Sequence, residues 1–335
     1  MAGRPTSPAP PLTASSPRGA ILDHFRSRVV PPLAASAHKG SHGRLAVLGG
    51  CASYAGAPAL AGLAALRFGV DLVTVVTPSA SAAPSIQSFS PELMVQHAPS
   101  AGAVLDLLPR MHGLLVGPGL GRSEEGLDLA AAVLTDVFKG GPAARGGHRG
   151  DIPVVLDADA LYLLAARSGV WEAARAYRGR LLLTPNAAEA TRLGAAAAKL
   201  GLCAPGAGGP ELAALLGPRG VLVAKGAADV LSWRAPAGGQ WRVEGGGSPR
   251  RAGGQGDVLA GCLAAAAVWE GLAAPPVGGA DGGAGPPPAP PAAAFAACVV
   301  ARHAQAAAFA KRKRAMGATD VLAEVGAAFE ELFPC

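Results

Sequence analysis

The chain has 335 residues, of which 50% are hydrophobic, 4% aromatic and 16% charged, so the sequence predicts a large core built mainly from small side chains. The net charge of +6 suits anionic small molecules, but the basic residues are scattered, which argues against a nucleic-acid-binding protein. The five cysteines are odd in number and share no CxxC spacing, which excludes a disulfide framework and a zinc cluster and favours a reducing compartment.

The first 20 residues form an N-terminal tail with Arg4, Arg18 and several Ser, Thr and Pro, and with no acidic residue before Asp23. Two interpretations stay open: an organellar transit peptide, which would direct the protein to a mitochondrion or plastid, and a short disordered tail on a cytoplasmic protein. The tail lacks the apolar core of a secretory signal, and no uninterrupted apolar run is long enough for a transmembrane helix. We therefore expect disorder over residues 1–20, a single domain over residues 21–335 and no membrane association.

Beyond the tail, short apolar strands alternate with helical segments. Strands are predicted over residues 44–49, 71–77, 113–117, 152–156, 180–184 and 220–225, followed by a weaker hairpin over residues 230–243. Helices are predicted over residues 56–69 and 127–138, and two more follow the hairpin. This alternation predicts an α/β fold with three α/β/α layers and a central, mostly parallel sheet. Gly- and Pro-rich stretches over residues 140–150, 203–210 and 273–291 are predicted loops, the last a flexible one of low complexity.

The most distinctive motif is the turn Gly253-Gly254-Gln255-Gly256-Asp257, which stands immediately before an apolar run typical of a buried helix. A glycine-rich turn leaves backbone N–H groups uncovered, and a helix N-terminus adds a partial positive charge, so the turn is suited to phosphate. Asp257 would lie at the mouth of that site, where a carboxylate can accept the proton of a hydroxyl as phosphate is transferred to it. The alternative is a plain N-cap, since Asp before an apolar helix is common.

Other polar residues follow the ends of predicted strands, where ligands bind in parallel α/β sheets. Asp157 and Asp159 follow the fourth strand, Asn186 follows the fifth and Lys225 the sixth. For the two aspartates, a cap of the next helix and a role toward metal or phosphate both stay open. Glu189 is interpreted either as a solvated helix residue or as part of the site.

Eight motifs together resemble a known family. They are His38-Lys39-Gly40-Ser41-His42-Gly43-Arg44, Tyr54-Ala55-Gly56-Ala57-Pro58, Ser90-Pro91-Glu92-Leu93, Gly117-Pro118-Gly119-Leu120-Gly121, Asp157-Ala158-Asp159-Ala160-Leu161, Thr184-Pro185-Asn186, Lys225-Gly226 and the glycine turn. On this ordered set, which covers residues 22–334, the chain is identified as a member of the NAD(P)H-hydrate dehydratases of the ribokinase-like superfamily.

The segment Ser248-Pro249-Arg250-Arg251 before the glycine turn resembles the eukaryotic branch of that family, which is expected to use ATP. Two residues depart from the bacterial pattern: Asn186 stands where bacterial members commonly have His, and Gln255 where they have Thr or a small residue. Both departures fit the eukaryotic branch, so they concern the choice between ATP and ADP rather than the reaction.

The resemblance implies a ribokinase-like fold and a repair reaction on damaged nicotinamide cofactors. The S-epimers of hydrated NADH and NADPH, called NADHX and NADPHX, would be phosphorylated by ATP on the C6 hydroxyl and would then lose phosphate to give NADH and NADPH. Mg²⁺ is expected because ATP phosphates need charge neutralisation. The resemblance also implies a homo-oligomer and a functional partnership with a separate NAD(P)H-hydrate epimerase, for which we find no second α/β block in this chain.

Residue roles are likewise implied by the resemblance. Asp257 would be the general base and would contact the hydrate, and Gly254 and Gly256 would stabilise the transferring phosphoryl group. The other substrate-binding residues would be Gly119, Asn186, Ala187, Ala188, Glu189, Ala190, Thr191 and Arg192. The ATP-binding residues would be Lys225, Gly226, Ala227, Ala228, Asp229, Gly247, Ser248, Pro249, Arg250, Arg251, Ala252, Gly253, Gly254, Gln255 and Gly256. No metal ligand is predicted.

Two other functions remain as alternatives. A small-molecule kinase of the same superfamily, acting on a vitamin-precursor alcohol, would use the same glycine turn but would release a stable phosphate ester. The motifs between Lys39 and Pro58 favour the dehydratase over this kinase. A nucleotide-binding module without catalysis is the second alternative, and the presence of Asp257 argues against it.

Overall fold

The computed structural model describes residues 11–141, 152–234, 238–274 and 290–334. The strands in these residues are β1 Arg44–Leu48, β2 Leu72–Thr77, β3 Met94–His97, β4 Gly113–Val116, β5 Val154–Leu156, β6 Leu181–Leu183, β7 Gly220–Ala224, β8 Asp229–Trp233 and β9 Gly239–Val243. They form one sheet in the order β3-β2-β1-β4-β5-β6-β7-β8-β9, parallel from β3 to β7 and antiparallel from β7 to β9. The mostly parallel sheet and the terminal hairpin were both predicted, and both predictions are confirmed.

The helices are α1 Arg18–His24, α2 Gly56–Phe68, α3 Ala82–Gln87, α4 Ala101–Leu105, α5 Glu124–Phe138, α6 Asp159–Ala166, α7 Ser168–Ala176, α8 Ala187–Lys199, α9 Gly209–Ala214, α10 Gln255–Ala273, α11 Ala292–Arg312 and α12 Ala318–Leu332. A π-helical turn, Phe25–Val29, continues α1. Neighbouring residues of β1 illustrate the layering, since Val47 packs into the core beneath α2, α10, α11 and α12, whereas Leu48 packs into the core beneath α5 to α9. The predicted three-layer architecture is therefore confirmed.

The strand β3 was not predicted, because it is only four residues long and just two of them, Met94 and Val95, are apolar. Its four residues lie at the edge of the sheet, and Val95 alone among them is half-buried while the others are exposed. This short, mostly exposed edge strand is held by backbone pairing to β2 rather than by burial of its side chains. Hydrophobic patterning therefore cannot detect it.

The helices α10 and α11 form the apolar centre of one layer. By length and composition both could cross a membrane, but 67% and 78% of their apolar windows are buried inside the molecule. Gly261 lets α10 approach α2 closely, since an added Cβ atom would lie 2.1 Å from the carbonyl oxygen of Ala61. Burial in the core thus accounts for the apolar character of both helices, and it gives the N-terminus of α10 a rigid support.

The predicted disorder of the N-terminal tail is wrong for residues 11–20. The indole Nε1 of Trp241 donates to the carbonyl oxygen of Thr13 (3.1 Å), and Arg18, which begins α1, donates to the carbonyl oxygen of Glu244 (3.3 Å). These contacts fix the segment to the hairpin edge of the sheet. The predicted loop over residues 203–210 is a turn that leads into α9 at Gly209. Residues 1–10 and most of the predicted loops over 140–150 and 273–291 lie outside the described residues.

Candidate active site

At the carboxyl ends of β5, β6 and β7, two carboxylates and one threonine gather around the ammonium group of Lys225, a predicted site residue. Lys225, directly after β7, donates through Nζ to Oδ1 of Asp157 (2.7 Å), and the same oxygen accepts the hydroxyl of Thr184 (2.6 Å). Oε2 of Glu189 lies 3.9 Å from Lys225 Nζ. Burial would lower the pKa of Lys225, but the charge and hydrogen bond of Asp157 outweigh it and raise that pKa. Lys225 is therefore a fixed cation at the base of the site.

Asp257 lies in the first turn of α10, beside this cluster. Burial raises the pKa of its carboxyl to about 7, and the negative charges of Asp157 and Asp159 add to that effect while Lys225 opposes it. A carboxyl group that is half ionised at neutral pH is suited to accept and return a proton. The geometry therefore supports the predicted role of Asp257 as a base.

Comparison with α12 argues against the alternative that Asp257 is a plain helix cap. Asp320 occupies the third position of α12, as Asp257 does in α10, and it accepts the backbone N–H of Gly317 before that helix (2.9 Å). That bond lowers the pKa of Asp320. In α10, Gly254 precedes the helix and no side chain caps it. Asp320 is thus a capping aspartate. The pKa of Asp257 is displaced in the opposite direction, and its carboxyl accepts its own backbone N–H rather than that of a residue before the helix.

The glycine turn has the conformation that an anion site requires. Gly254 has φ +89°, and a Cβ atom there would lie 2.6 Å from Leu60 Cδ1 and 2.7 Å from Ala318 Cβ. A Cβ atom on Gly256 would lie 3.6 Å from Lys225 Nζ, which places the turn directly over the ammonium group. The first N–H groups of α10 have no acceptor within the helix, so they are available to a phosphoryl oxygen beside this cation.

The predicted substrate segment over residues 186–192 forms the start of α8. A reciprocal pair of hydrogen bonds fixes it: Asn186 Oδ1 accepts the N–H of Glu189 (3.0 Å), and Glu189 Oε2 accepts the N–H of Asn186 (2.8 Å). Glu189 is half-buried and faces Lys225, so its interpretation as a solvated residue is wrong. Ala190 and Thr191 border a cavity of about 600 Å³ between α8, α9 and β7, and Ala187, Ala188 and Arg192 are exposed.

Neither aspartate after β5 caps α6, so the structure excludes that interpretation. The helix is preceded by Ala158 and has no side-chain cap. Asp157 accepts from Thr184 and Lys225, while Asp159 accepts the N–H of Gly121 through Oδ2 (2.9 Å). Ala158 has φ +49°, which is rare for a residue other than glycine. This strained link turns the two carboxylates toward different partners.

Gly119 is buried beneath the loop that precedes α2. Its φ is +60°, and a Cβ atom there would lie 2.3 Å from the carbonyl oxygen of Tyr54. The turn therefore requires glycine for close packing. Its contact with the hydrate stays a prediction.

The predicted ATP segments lie on the far side of Lys225, after β7 and β9, and a residue that sequence reasoning missed ties them together. Arg302 of α11 is buried; its Nη2 donates to the carbonyl oxygen of Ala227 (2.5 Å) and its Nε to that of Gly245 (2.8 Å). Its own carbonyl oxygen accepts the N–H of Gly247 (2.7 Å). Arg302 Nη1 lies 3.4 Å from Oδ2 of Asp229, which is also buried.

Asp229 is consequently turned away from solvent. Its Oδ1 accepts the N–H of Gly226 (3.2 Å) and its Oδ2 faces Arg302, so its side chain orders the loop rather than reaching into the site. On the other segment, the side chain of Gln255 donates to the carbonyl oxygen of Arg250 (3.1 Å) and anchors the exposed residues around it. The remaining predicted ATP residues in these loops are exposed or half-buried backbone positions: Gly226, Ala227, Ala228, Gly247, Ser248, Pro249, Arg251, Ala252 and Gly253.

We expect Arg302→Met to destabilise the protein and to weaken ATP binding. The substitution leaves the buried carboxylate of Asp229 without its cation, which typically costs about 3–5 kcal/mol, and it frees two carbonyl groups that hold the ATP loops. Burial raises the pKa of Asp229, and the charge of Arg302 opposes that rise, so the variant should have an even higher pKa at this carboxyl. The loss of stability should therefore shrink as the pH falls, because Asp229 is then neutral and needs no cation. Urea unfolding at pH 8 and pH 5, with the KM for ATP, measures both effects.

The double variant Arg302→Met/Asp229→Asn is the control, since it removes the unpaired charge. It should recover part of the stability but none of the affinity for ATP. Full recovery of both would contradict a role of Arg302 in holding the loops.

Comparison with known proteins shows which protein family this chain is similar to. Residues 45–326 match the family described as NAD(P)H-hydrate dehydratase. The human ATP-dependent (S)-NAD(P)H-hydrate dehydratase is 41% identical over 314 residues, which cover 91% of this chain and 82% of the human protein.

Two solved structures share the fold. A ribokinase-like superfamily protein from Enterococcus faecalis has a TM-score of 0.68 at 19% identity, covering 93% of this chain and 94% of its own. The ADP/ATP-dependent NAD(P)H-hydrate dehydratase from Bacillus subtilis, co-crystallized with ATP/Mg²⁺, has a TM-score of 0.61 at 24% identity, covering 92% and 97%. The architecture is therefore ribokinase-like, as the resemblance implied.

Proposed function

The chain belongs to the NAD(P)H-hydrate dehydratase family, and we propose a mechanism in which Asp257 is the general base and the glycine turn holds the transferring phosphoryl group. The protein is an ATP-dependent lyase that returns the S-epimers of NADHX and NADPHX to NADH and NADPH. The similarity extends over most of the chain, which favours this function over a vitamin-precursor kinase or a silent nucleotide-binding module.

The dehydration proceeds through phosphorylation because hydroxide is a poor leaving group and phosphate a good one. The C6 oxygen of the hydrate attacks the γ-phosphorus of ATP; an O–P bond forms, the bond to ADP breaks, and the hydroxyl proton passes to Asp257. Phosphate then leaves C6 with its bonding electrons, and a proton leaves the neighbouring carbon for solvent while the electrons of that C–H bond form the double bond. The ring double bond is restored, and the products are NADH or NADPH, ADP and phosphate.

The observation that carries this assignment is the position of a carboxyl with a pKa of about 7 beside an anion-binding turn. Asp257 supplies the base, while the first N–H groups of α10 and the ammonium of Lys225 are the positive groups where negative charge develops. The placement of these groups on a buried helix and at the end of a buried strand keeps them fixed during the reaction.

Mg²⁺ is proposed as the partner of ATP. The described residues contain no group of three or more His, Cys, Asp or Glu side chains placed to hold a metal ion by themselves. Mg²⁺ bound to a nucleotide typically takes only one or two protein carboxylates, and Asp157 and Glu189, which flank Lys225, fit that requirement. They would hold the ion, which would neutralise charge on the phosphates.

A separate NAD(P)H-hydrate epimerase is proposed as the functional partner, because this site is assigned to one epimer only. We also propose that the protein acts as a homo-oligomer, either in the cytoplasm or, if the N-terminal tail is a transit peptide, in a mitochondrion or plastid.

The test of the function is the near-ultraviolet absorbance of reduced nicotinamide in a mixture of protein, Mg²⁺, ATP and S-NADHX. We expect the absorbance to rise only when ATP is present, because elimination of phosphate restores the reduced ring. R-NADHX is the matched control and should react no faster than it epimerises spontaneously. A stable phosphate ester formed from a hydroxylated vitamin precursor, with no rise on S-NADHX, would instead support the kinase.

A further inference from the structure

Two arginines flank one tyrosine at the mouth of the site. The guanidinium carbon of Arg122 lies 4.3 Å from the ring centroid of Tyr162, and that of Arg192 lies 5.8 Å from it. The three residues come from the loop after β4, from α6 and from α8. Cations near an aromatic face are attracted by the ring quadrupole, so Tyr162 brings two positive charges from separate elements beside one ring.

This cluster borders on the reaction centre. Arg122 Nε donates to Oδ1 of Asp159 (3.2 Å), and Asp159 lies close enough to Asp257 for its charge to raise the pKa of that carboxyl. Arg192 follows Glu189 by one helical turn on α8, and the Glu189 carboxylate faces Lys225. The cluster is thus connected to the catalytic groups through two separate carboxylates.

The cluster and the ATP loops lie on opposite sides of Lys225. Its residues follow β4, β5 and β6, whereas the ATP loops follow β7 and β9 at the other end of the sheet order. A ligand that extends from Asp257 toward the cluster therefore runs away from ATP. One carboxylate, Asp159, opposes two arginines here, and Arg192 forms no ion pair with any described residue, so a positive charge remains for a ligand.

We propose that Arg122, Tyr162 and Arg192 form a phosphate-binding subsite for the dinucleotide substrate. Guanidinium groups bind phosphate oxygens through paired N–H donors, and stacking on a ring fixes their plane. The hydrated cofactors supply such phosphate groups: both contain a pyrophosphate, and NADPHX also has a 2′-phosphate. The inference rests on the proposed function, since that function supplies the dinucleotide.

The test compares the site variants Arg122→Gln and Arg192→Gln with the control variant Arg26→Gln. Arg26 lies in the π-helical turn after α1, and its side chain is as exposed as that of Arg122 (54% for each). Each site variant should raise the KM for the hydrate at least about tenfold, as expected for a lost charge-assisted hydrogen bond, while the KM for ATP and the control stay unchanged. Equal increases for NADHX and NADPHX identify the pyrophosphate as the bound group. An increase for NADPHX alone identifies the 2′-phosphate.

Calorimetric titration with NADPH, in the absence of ATP, separates this proposal from the function. Weaker NADPH binding by both site variants supports the subsite even if the wild-type protein turns over no hydrate, a result that would overturn only the proposed function. Site variants that bind NADPH as tightly as the wild type, and whose KM for both hydrates changes less than twofold, would overturn the subsite.

Discussion

Replacing Asp257 with Asn should lower kcat by about 10²–10⁴-fold, the range typical of general base catalysis, while leaving the fold intact. Asn has nearly the same shape as Asp but cannot take the C6 hydroxyl proton. The measurement is steady-state turnover of S-NADHX with saturating ATP. A variant that retains more than a tenth of the wild-type kcat would contradict the role of Asp257 as base.

The pH dependence of wild-type activity should follow the ionisation of Asp257. Because burial raises the pKa of Asp257 to about 7, the base is protonated and inactive below that pH. Activity should therefore fall as the pH decreases through about 7, rather than through the usual range of an aspartate near 4. The Asn variant should lose this dependence.

The same substitution should make the protein more stable above pH 7. A carboxyl whose pKa is higher in the folded state than its unfolded value of 3.8 costs stability once it ionises. At roughly 1.4 kcal/mol per pKa unit, the cost reaches at most about 4 kcal/mol. Asp257→Asn should thus unfold at higher urea concentration than the wild type at pH 8, with the difference vanishing toward pH 4.

Asp320→Asn is the matched control at the same position of α12. Because Asp320 accepts the N–H of Gly317 and its pKa is lowered, its replacement should reduce stability at pH 8 and leave turnover unchanged. Opposite signs at two equivalent helix positions would separate a group kept for chemistry from one kept for the fold.

Much of the fold follows from sequence because buried parallel strands are continuous apolar segments. The six predicted parallel strands are all present, and the glycine turn opens α10 as its composition indicates. Two parts depend on tertiary contacts instead: β3, whose side chains are mostly exposed, and the tail, where Thr13 accepts from Trp241, 228 residues later. No local pattern encodes either contact.

The candidate site, like the fold, could be predicted from the sequence only in part. The motifs predicted Asp157 and Lys225 individually, but only the parallel register of β5, β6 and β7 reveals that they form an ion pair. Arg302 was missed because its carboxylate partner, Asp229, lies 73 residues earlier in the chain. The sequence did contain a signal for Arg302. It stands in an Ala- and Val-rich segment that forms a buried helix, and a buried arginine needs partners.

Replacing Lys225 with Met should reduce kcat by about 10²–10³-fold, as is typical when one preorganised positive group is removed from a developing negative charge. Methionine has nearly the same volume as lysine, so the substitution should leave no void at this position. The Lys225 charge also holds down the pKa of Asp257, and its loss should move the acidic limb of the pH profile above about 7. Lys311→Met, at an exposed lysine paired with Glu324, is the control and should change neither kcat nor the profile.

Stability separates this electrostatic role from a failure to fold. Lys225→Met leaves Asp157, which is buried, without its cation, and this should cost about 3–5 kcal/mol at pH 8. The double variant Lys225→Met/Asp157→Asn removes the unpaired charge and should regain most of that stability. Its kcat should stay low because it lacks both Lys225 and a carboxylate proposed to hold Mg²⁺, so the catalytic role of Lys225 is measured on the single variant. Because the double variant also removes the Asp157 charge that raises the pKa of Asp257, its acidic limb should lie below that of the single variant. If kcat returned together with stability, Lys225 would be shown to support the fold alone.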